Sequence, residues 1–148
     1  MIPMNFEPRN KNYRQAIEDV LQRQNFMKYI GFSLTQITPG YMEGSLPFND
    51  FLKQQSGFLH GGAIATLADL VCGFAAYSLV QEHEYVVTSD LKISYLNPGV
   101  GSMVLAKGWV IKAGSRMIFC EAEIVDSDTS FFIAKASATM VIVPKQNL

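Results

Sequence analysis

The chain has 148 residues, of which 49% are hydrophobic, and its 12 basic and 13 acidic residues give a formal net charge of −1. That is enough length for one domain with a real core, and too many apolar residues for a disordered chain. The near-neutral balance lacks the basic excess that draws a protein to nucleic acid or to an anionic membrane.

Met1–Asn12 is polar and has no apolar segment of the secretory kind, so the expected location is cytoplasmic. Asn10–Tyr29 reads as an amphipathic helix, with Tyr13, Ile17, Val20, Leu21 and Phe26 as its apolar stripe and Gly31 as its stop. Phe32–Thr38 and Tyr41–Phe48 flank a Pro39-Gly40 turn and read as a hairpin. Asn49–Phe58 is a loop that leads into His60-Gly61-Gly62.

The run Ala63–Val80 approaches the length of a short membrane span. It is Ala-rich, broken by Gly73, carries Asp69 and is flanked by strand patterns, so it reads as a buried helix. Four strand-like runs follow: Tyr85–Asn97, Val100–Lys112, Arg116–Asp126 and Phe131–Val143. Asn97-Pro98-Gly99, Ala113-Gly114-Ser115 and Asp126-Ser127-Asp128 supply the turns between them. Leu91, Ile93 and Tyr95 alternate with Asp90, Lys92 and Ser94, and Ile118, Cys120, Ala122 and Ile124 alternate with Glu121 and Glu123. One apolar face per strand means a one-sided antiparallel sheet. The expected fold is α+β: a curved antiparallel sheet of about six strands wrapped around one long central helix, with an extra N-terminal helix. Residues 1–30 would form the extension and 31–148 the main domain.

Asp69 stands out as the only charged side chain between Ala63 and Val80. An unpaired buried carboxylate is costly, so it is either satisfied by a partner or used for chemistry. Ile64, Leu67, Val71 and Phe74 recur at helical spacing and should face the sheet. Asp69 lies on the other side, among Gly62, Ala65, Thr66, Cys72, Gly73 and Ala76, all small. Small neighbours leave room for a ligand or a second subunit; close helix packing, with Asp69 bonded to a nearby hydroxyl or amide, is the structural alternative. The helix opens two turns upstream at Gly-Gly, and helix starts favour negative charge.

Cys72 and Cys120 form no C-x-x-C pair, and only His60 and His83 accompany them, so no zinc set exists and two reduced thiols are expected. Asp126-Ser127-Asp128 lacks the loop and final Glu of a calcium hand. No G-x-S-x-G elbow is present.

The string Gln54-Gln55-Ser56-Gly57-Phe58-Leu59-His60-Gly61-Gly62-Ala63, followed by Asp69, resembles the signature of hotdog-fold acyl-CoA thioesterases. The similarity is to the phenylacetate-degradation type of the 4-hydroxybenzoyl-CoA thioesterase superfamily, and it spans roughly Gly31 to Val143. Val86–Ile93 and Leu96-Asn97-Pro98 also resemble family segments. The resemblance implies hydrolysis of an acyl-CoA or aryl-CoA thioester to free acid and CoA, with no cofactor and no metal. It casts Asp69 as nucleophile or general base and the Gly62 amide as the oxyanion donor. His60 would support that site, and Gln54 would orient the thioester or the water. Thr88, or Ser89 if the alignment shifts by one, would position the carboxylate. Gly61, Phe58 and Leu59 are further substrate-binding candidates, and Lys92, Lys112 and Arg116 are candidate partners for the CoA phosphates.

The family also implies a site shared between subunits, hence a homodimer, paired further into a dimer of dimers. The spacing agrees, since Asp69 and Gly62 are roughly 10 Å apart along a helix. An acyl-thioester dehydratase or hydratase, or a non-catalytic acyl-CoA-binding protein, are the competing readings. The first fits the Gly-Gly spacing poorly, and the second has no need of Asp69.

Overall fold

The structure, a computed structural model, describes residues 5–146. The expected domain limits at residues 1 and 148, and Met1–Met4 of the polar N-terminus, lie outside them. Two short helices, α1 (Tyr13–Arg23) and α2 (Asn25–Ile30), precede a hairpin of β1 (Ser33–Thr38) and β2 (Tyr41–Pro47). A single 3-10 turn, Asp50–Leu52, leads to the central helix α3 (Gly61–Tyr77), and four long strands complete the chain: β3 (Glu84–Tyr95), β4 (Met103–Ala113), β5 (Met117–Asp126) and β6 (Phe132–Pro144).

All six strands form one antiparallel sheet in the order β1-β2-β4-β5-β6-β3. The sheet wraps α3, as the alternation in the sequence predicts. Ile64, Leu67, Val71 and Phe74 are buried against it, and Ile118, Cys120, Ala122, Ile124, Ala134, Ala136, Ala138 and Met140 line its inner face. Burial of each large aliphatic side chain contributes about 1.5–3 kcal/mol. The inner face is rich in alanine because the helix sits close. At Gly108 a Cβ would lie 2.6 Å from the Val71 carbonyl carbon, so β4 can pass the helix backbone there only with glycine.

The expected N-terminal helix is broken in two at Gln24, whose ψ of 79° is not helical. Gly31 ends the second piece in the left-handed conformation, at φ 84°. The segment is part of the same core: Ile17, Val20, Met27 and Ile30 are buried in it. Cys72 and Ala76, read from the sequence as facing the open side of α3, are instead fully buried. The sheet reaches Cys72, where Cys120 Sγ lies 3.6 Å from its carbonyl oxygen. Both thiols are free.

Strand β3 carries a bulge. Thr88 pairs with Met140 and Asp90 with Thr139, leaving Ser89 as the extra residue. A strict alternation would put Thr88 on the same face as Asp90 and Lys92. The bulge shifts the phase, so Val86 and Thr88 before it and Leu91 and Ile93 after it all face the helix.

The turn after β5 is tied by Asp126, only 2% exposed. Its carboxylate accepts from the amides of Gly101 (2.7 Å), Val100 (3.2 Å), Asp128 (3.0 Å) and Thr129 (3.2 Å). Burial alone would raise its pKa; the four amide donors outweigh burial and hold it below the ordinary carboxylate value. A depressed folded pKa means the stabilisation is present above the unfolded value and is lost as pH falls through the folded one. Asp126→Asn should therefore destabilise the protein by about 1.5–3 kcal/mol at neutral pH. In urea unfolding at a series of pH values, its deficit should shrink once the pH falls below about 4. A deficit unchanged down to strongly acid pH would contradict this assignment.

Candidate active site

His60 is the N-cap of α3. Its backbone is extended, and its carbonyl oxygen accepts from the amides of Ala63 and Ile64 at 2.9 and 3.2 Å. Its ring Nδ1 accepts from the Gly62 amide at 2.8 Å. An accepting Nδ1 is unprotonated, so the neutral ring carries its hydrogen on Nε2 and offers a donor there. The Gly62 amide, expected to serve an oxyanion, is thus already engaged by the capping ring. One residue earlier, the Gly61 amide has no acceptor among the described residues. The free helix-start donor is therefore that of Gly61.

Gly61 is held by the far strand, where the Tyr95 hydroxyl donates to the Gly61 carbonyl oxygen at 2.9 Å. Gln54 sits on the loop before the helix, which is closed by Gln54 N–H donating to Phe58 O at 2.8 Å and by Gly57 at φ +86°. Its side-chain oxygen accepts from the Ser56 amide, and its NH2 end has no acceptor among the described residues. Gln54, Phe58, Gly61, Tyr95 and Leu96 border one open cleft of about 320 Å³. Leu59 also borders it but is mainly core, at 4% exposure, whereas Phe58 is exposed.

Asp69 lies two turns along the same helix and belongs to a second cleft, of about 110 Å³, with Thr88, Leu70, Gly73, Tyr77, Tyr85 and Gln24 among its walls. The Thr88 hydroxyl donates to Asp69 Oδ1 at 2.6 Å. Asp69 Oδ2 accepts no hydrogen bond among the described residues. The carboxylate is half-buried, anchored through one oxygen and free at the other. Of the two hydroxyls considered on β3, Thr88 reaches the carboxylate; Ser89, the bulged residue, turns to the Thr139 carbonyl at 3.3 Å.

The structure does not bring the remaining candidates to either cleft. Lys92 lines a basin on the outer face of the sheet with Ser94, Trp109, Glu121, Glu123 and Lys135. Lys112 and Arg116 stay exposed at the β4–β5 hairpin. Its tip is held to the N-terminal segment by Arg9, which donates to the Gly114 carbonyl at 2.9 Å. Cys72 is no nucleophile: the neighbouring Cys120, and then burial, push its thiol well above the ordinary value. Among the described residues no three His, Cys, Asp or Glu side chains gather as a metal site, and no helix is long and apolar enough to cross a membrane.

Two site residues were invisible to the sequence reading. Tyr95 looked like one more member of an apolar alternation, and only the pairing of β3 beside α3 brings its hydroxyl to Gly61. Gln24 looked like a polar position in a continuous helix. Its contact with the cleft depends on the helix break, which no proline or glycine marks.

Comparison with known proteins agrees with this fold. The thioesterase superfamily model matches residues 56–131, which include the whole helix start, Asp69 and Thr88. Acyl-coenzyme A thioesterase 13 of Homo sapiens is 24% identical over 131 residues, covering 87% of this chain and 93% of the relative. A medium/long-chain acyl-CoA thioesterase of Salmonella typhimurium is 30% identical over 97 residues, covering 57% of this chain and 62% of the relative. The crystal structure of a thioesterase family protein from Silicibacter pomeroyi superposes with a TM-score of 0.86 at 32% identity, over 89% of this chain and 98% of that one. The PaaI protein of the E. coli phenylacetic acid degradation operon has the same fold, with a TM-score of 0.83 at 18% identity over 91% of this chain and 96% of that one. The matched segment, the sheet wrapped on its helix and the capped Gly-Gly helix start lead to one assignment: the chain belongs to the thioesterase superfamily and has its hotdog fold.

Proposed function

We propose that this protein is an acyl-CoA thioesterase whose site is assembled between two subunits. The observation that carries the reading is the pairing of a half-free carboxylate, anchored by Thr88, with an unengaged amide at the start of the same helix. Relatives that are named acyl-CoA thioesterases support the substrate class. Within the superfamily, the Gln54–Ala63 string favours the phenylacetate-degradation type.

Thioester hydrolysis puts negative charge on the carbonyl oxygen. The Gly61 amide and His60 Nε2–H are the donors offered for it, at a helix start whose dipole favours an anion. Removing one such donor typically costs ~2.7–4 kcal/mol of barrier. Asp69 Oδ2 either attacks the carbonyl carbon itself or takes a proton from an attacking water. In both routes a C–O bond forms, the carbonyl electron pair moves to oxygen, and collapse breaks the C–S bond. Water attack yields the free acid at once, whereas direct attack leaves an acyl–Asp69 anhydride that a water then hydrolyses to the acid and the restored carboxylate. CoA leaves as a thiolate, which needs no strong general acid. The NH2 of Gln54, which takes no part in the Ser56 bond, is available to donate to the thioester or to the water.

Asp69 and Gly61 lie about 12 Å apart along one helix and line different clefts, so one chain cannot present both to one carbonyl. A second copy supplies the missing half. Strand β3 suits that contact: it ends the sheet, runs for 12 residues and, among the described residues, pairs only with β6. An unpaired edge of that length is a template for another strand. The opposite edge, β1, is shorter, and Arg14 caps it by donating to the Ile37 carbonyl at 2.6 Å. Pairing β3 with its symmetry copy would set the two α3 helices side by side.

Purified protein should release free thiol from some member of an acyl-CoA panel. Asp69→Ala, with unchanged circular dichroism, should lower kcat by about 100-fold or more. No turnover by the wild type, or an unaffected variant, would sink the proposal. Thr88→Val should cut kcat by about 10- to 100-fold with little change in KM, because the hydroxyl orients the carboxylate without holding substrate. Thr88→Ser should retain most of the activity, and equal losses in the two variants would argue against the hydrogen bond as the cause.

A further inference from the structure

Glycine inside a helix is destabilising relative to alanine, so each one needs a reason. In this fold the reason is usually visible. Gly108 lets β4 pass against the Val71 backbone, and Gly44 lies under the Phe32 ring, whose nearest atom would be 2.2 Å from a Cβ. Gly73 has neither reason. It lies within α3, its φ is not positive, and a Cβ built on it meets nothing within 4 Å among the described residues. The space above it belongs to the cleft that also holds Asp69.

Asp69, Gly73 and Tyr77 follow one another at four-residue intervals, so they line one side of the helix over about 12 Å. The carboxylate with Thr88 marks one end of this run. At the other, the Tyr77 ring meets Tyr85 edge-on, with centroids 5.1 Å apart, and Gln24 adds a wall from the helix break. Burial, with Tyr77 as a further contributor, raises the Tyr85 hydroxyl above its ordinary pKa, which fits an enclosed end. The cleft volume of about 110 Å³ is on the scale of a single small hydrophobic group; an engineered cavity of about 150 Å³ holds one benzene.

We infer that Gly73 is a specificity-determining residue: its missing side chain is the space in which the acyl group of the thioester lies, and the Tyr77–Tyr85 pair sets the length that fits. The inference rests on the thioesterase reading and goes beyond it by naming what selects the substrate. Compact acyl groups are accepted up to the tyrosine wall, and longer ones are refused.

The test is kcat/KM for acetyl-, butanoyl-, hexanoyl-, octanoyl- and dodecanoyl-CoA with wild type, Gly73→Ala and Gly73→Val, beside Tm and size-exclusion elution. Wild type should show a length limit. Gly73→Val should lower kcat/KM for the longest accepted group by at least about 10-fold, since one methylene in an apolar pocket is worth about 10- to 200-fold. The shortest accepted group should change by less than about 3-fold, well under that methylene effect. Gly73→Ala should raise Tm by about 2–4 °C, from helix propensity without a clash, while shifting the preference in the same direction. A uniform loss across all lengths, an unchanged profile, or a dissociated oligomer in either variant would overturn the gauge and leave the thioesterase reading standing. No hydrolysis by wild type would overturn the thioesterase reading, and the gauge with it.

Discussion

A single helix enclosed by a single sheet has one side that the sheet does not reach, and that constraint organises everything else here. The sheet covers α3 closely enough to require glycine at position 108 and alanines along β6. It stops at β3, the last strand, and the uncovered side begins there. Asp69 lies on that side, within reach of β3 but not enclosed by it. A carboxylate turned inward would carry an unpaid desolvation cost. At the border of the sheet it is held by one hydroxyl and keeps one oxygen free.

The local chemistry of the helix start follows a similar logic. The first amides of any helix lack internal acceptors. His60 satisfies one of them with its ring, through Gly62, and so leaves Gly61 as the donor open to an anion. The same bond fixes which ring nitrogen carries the hydrogen, so capping and electrostatic preparation are one event. Tyr95 then holds the Gly61 peptide from its carbonyl side. The free amide at the helix start is thus positioned by β3 as much as by its own helix.

Much of this was legible in the sequence, for identifiable reasons. The strands declared themselves because each has one wet and one dry face, and the central helix because its apolar spacing is interrupted by one charge. Asp69 and the His-Gly-Gly start were readable because a carboxylate and two glycines are expensive in those places. What stayed hidden depends on contacts between distant elements. The bulge at Ser89 inverts the alternation of β3, and Val87-Thr88-Ser89-Asp90 does not signal where the extra residue falls. The choice between the Gly61 and Gly62 amides turned on the orientation of one imidazole. Lys92 was readable as lying on the polar face of its strand and Lys112 and Arg116 as flanking a turn, but how far those places lie from either cleft depends on the curl of the sheet.

The central claim is that the carboxylate and the oxyanion donors meet only across a subunit boundary. Subunit mixing tests it directly. Asp69→Ala protein and a His60→Ala/Gln54→Ala protein, each inactive alone, are combined under conditions that allow exchange, and thiol release from an acyl-CoA is followed. A shared site predicts recovery toward about one quarter of wild-type activity, because about half the dimers become mixed and each mixed dimer has one intact site. No recovery, with exchange verified by differently tagged subunits, would mean that each site lies within one chain and would contradict the account.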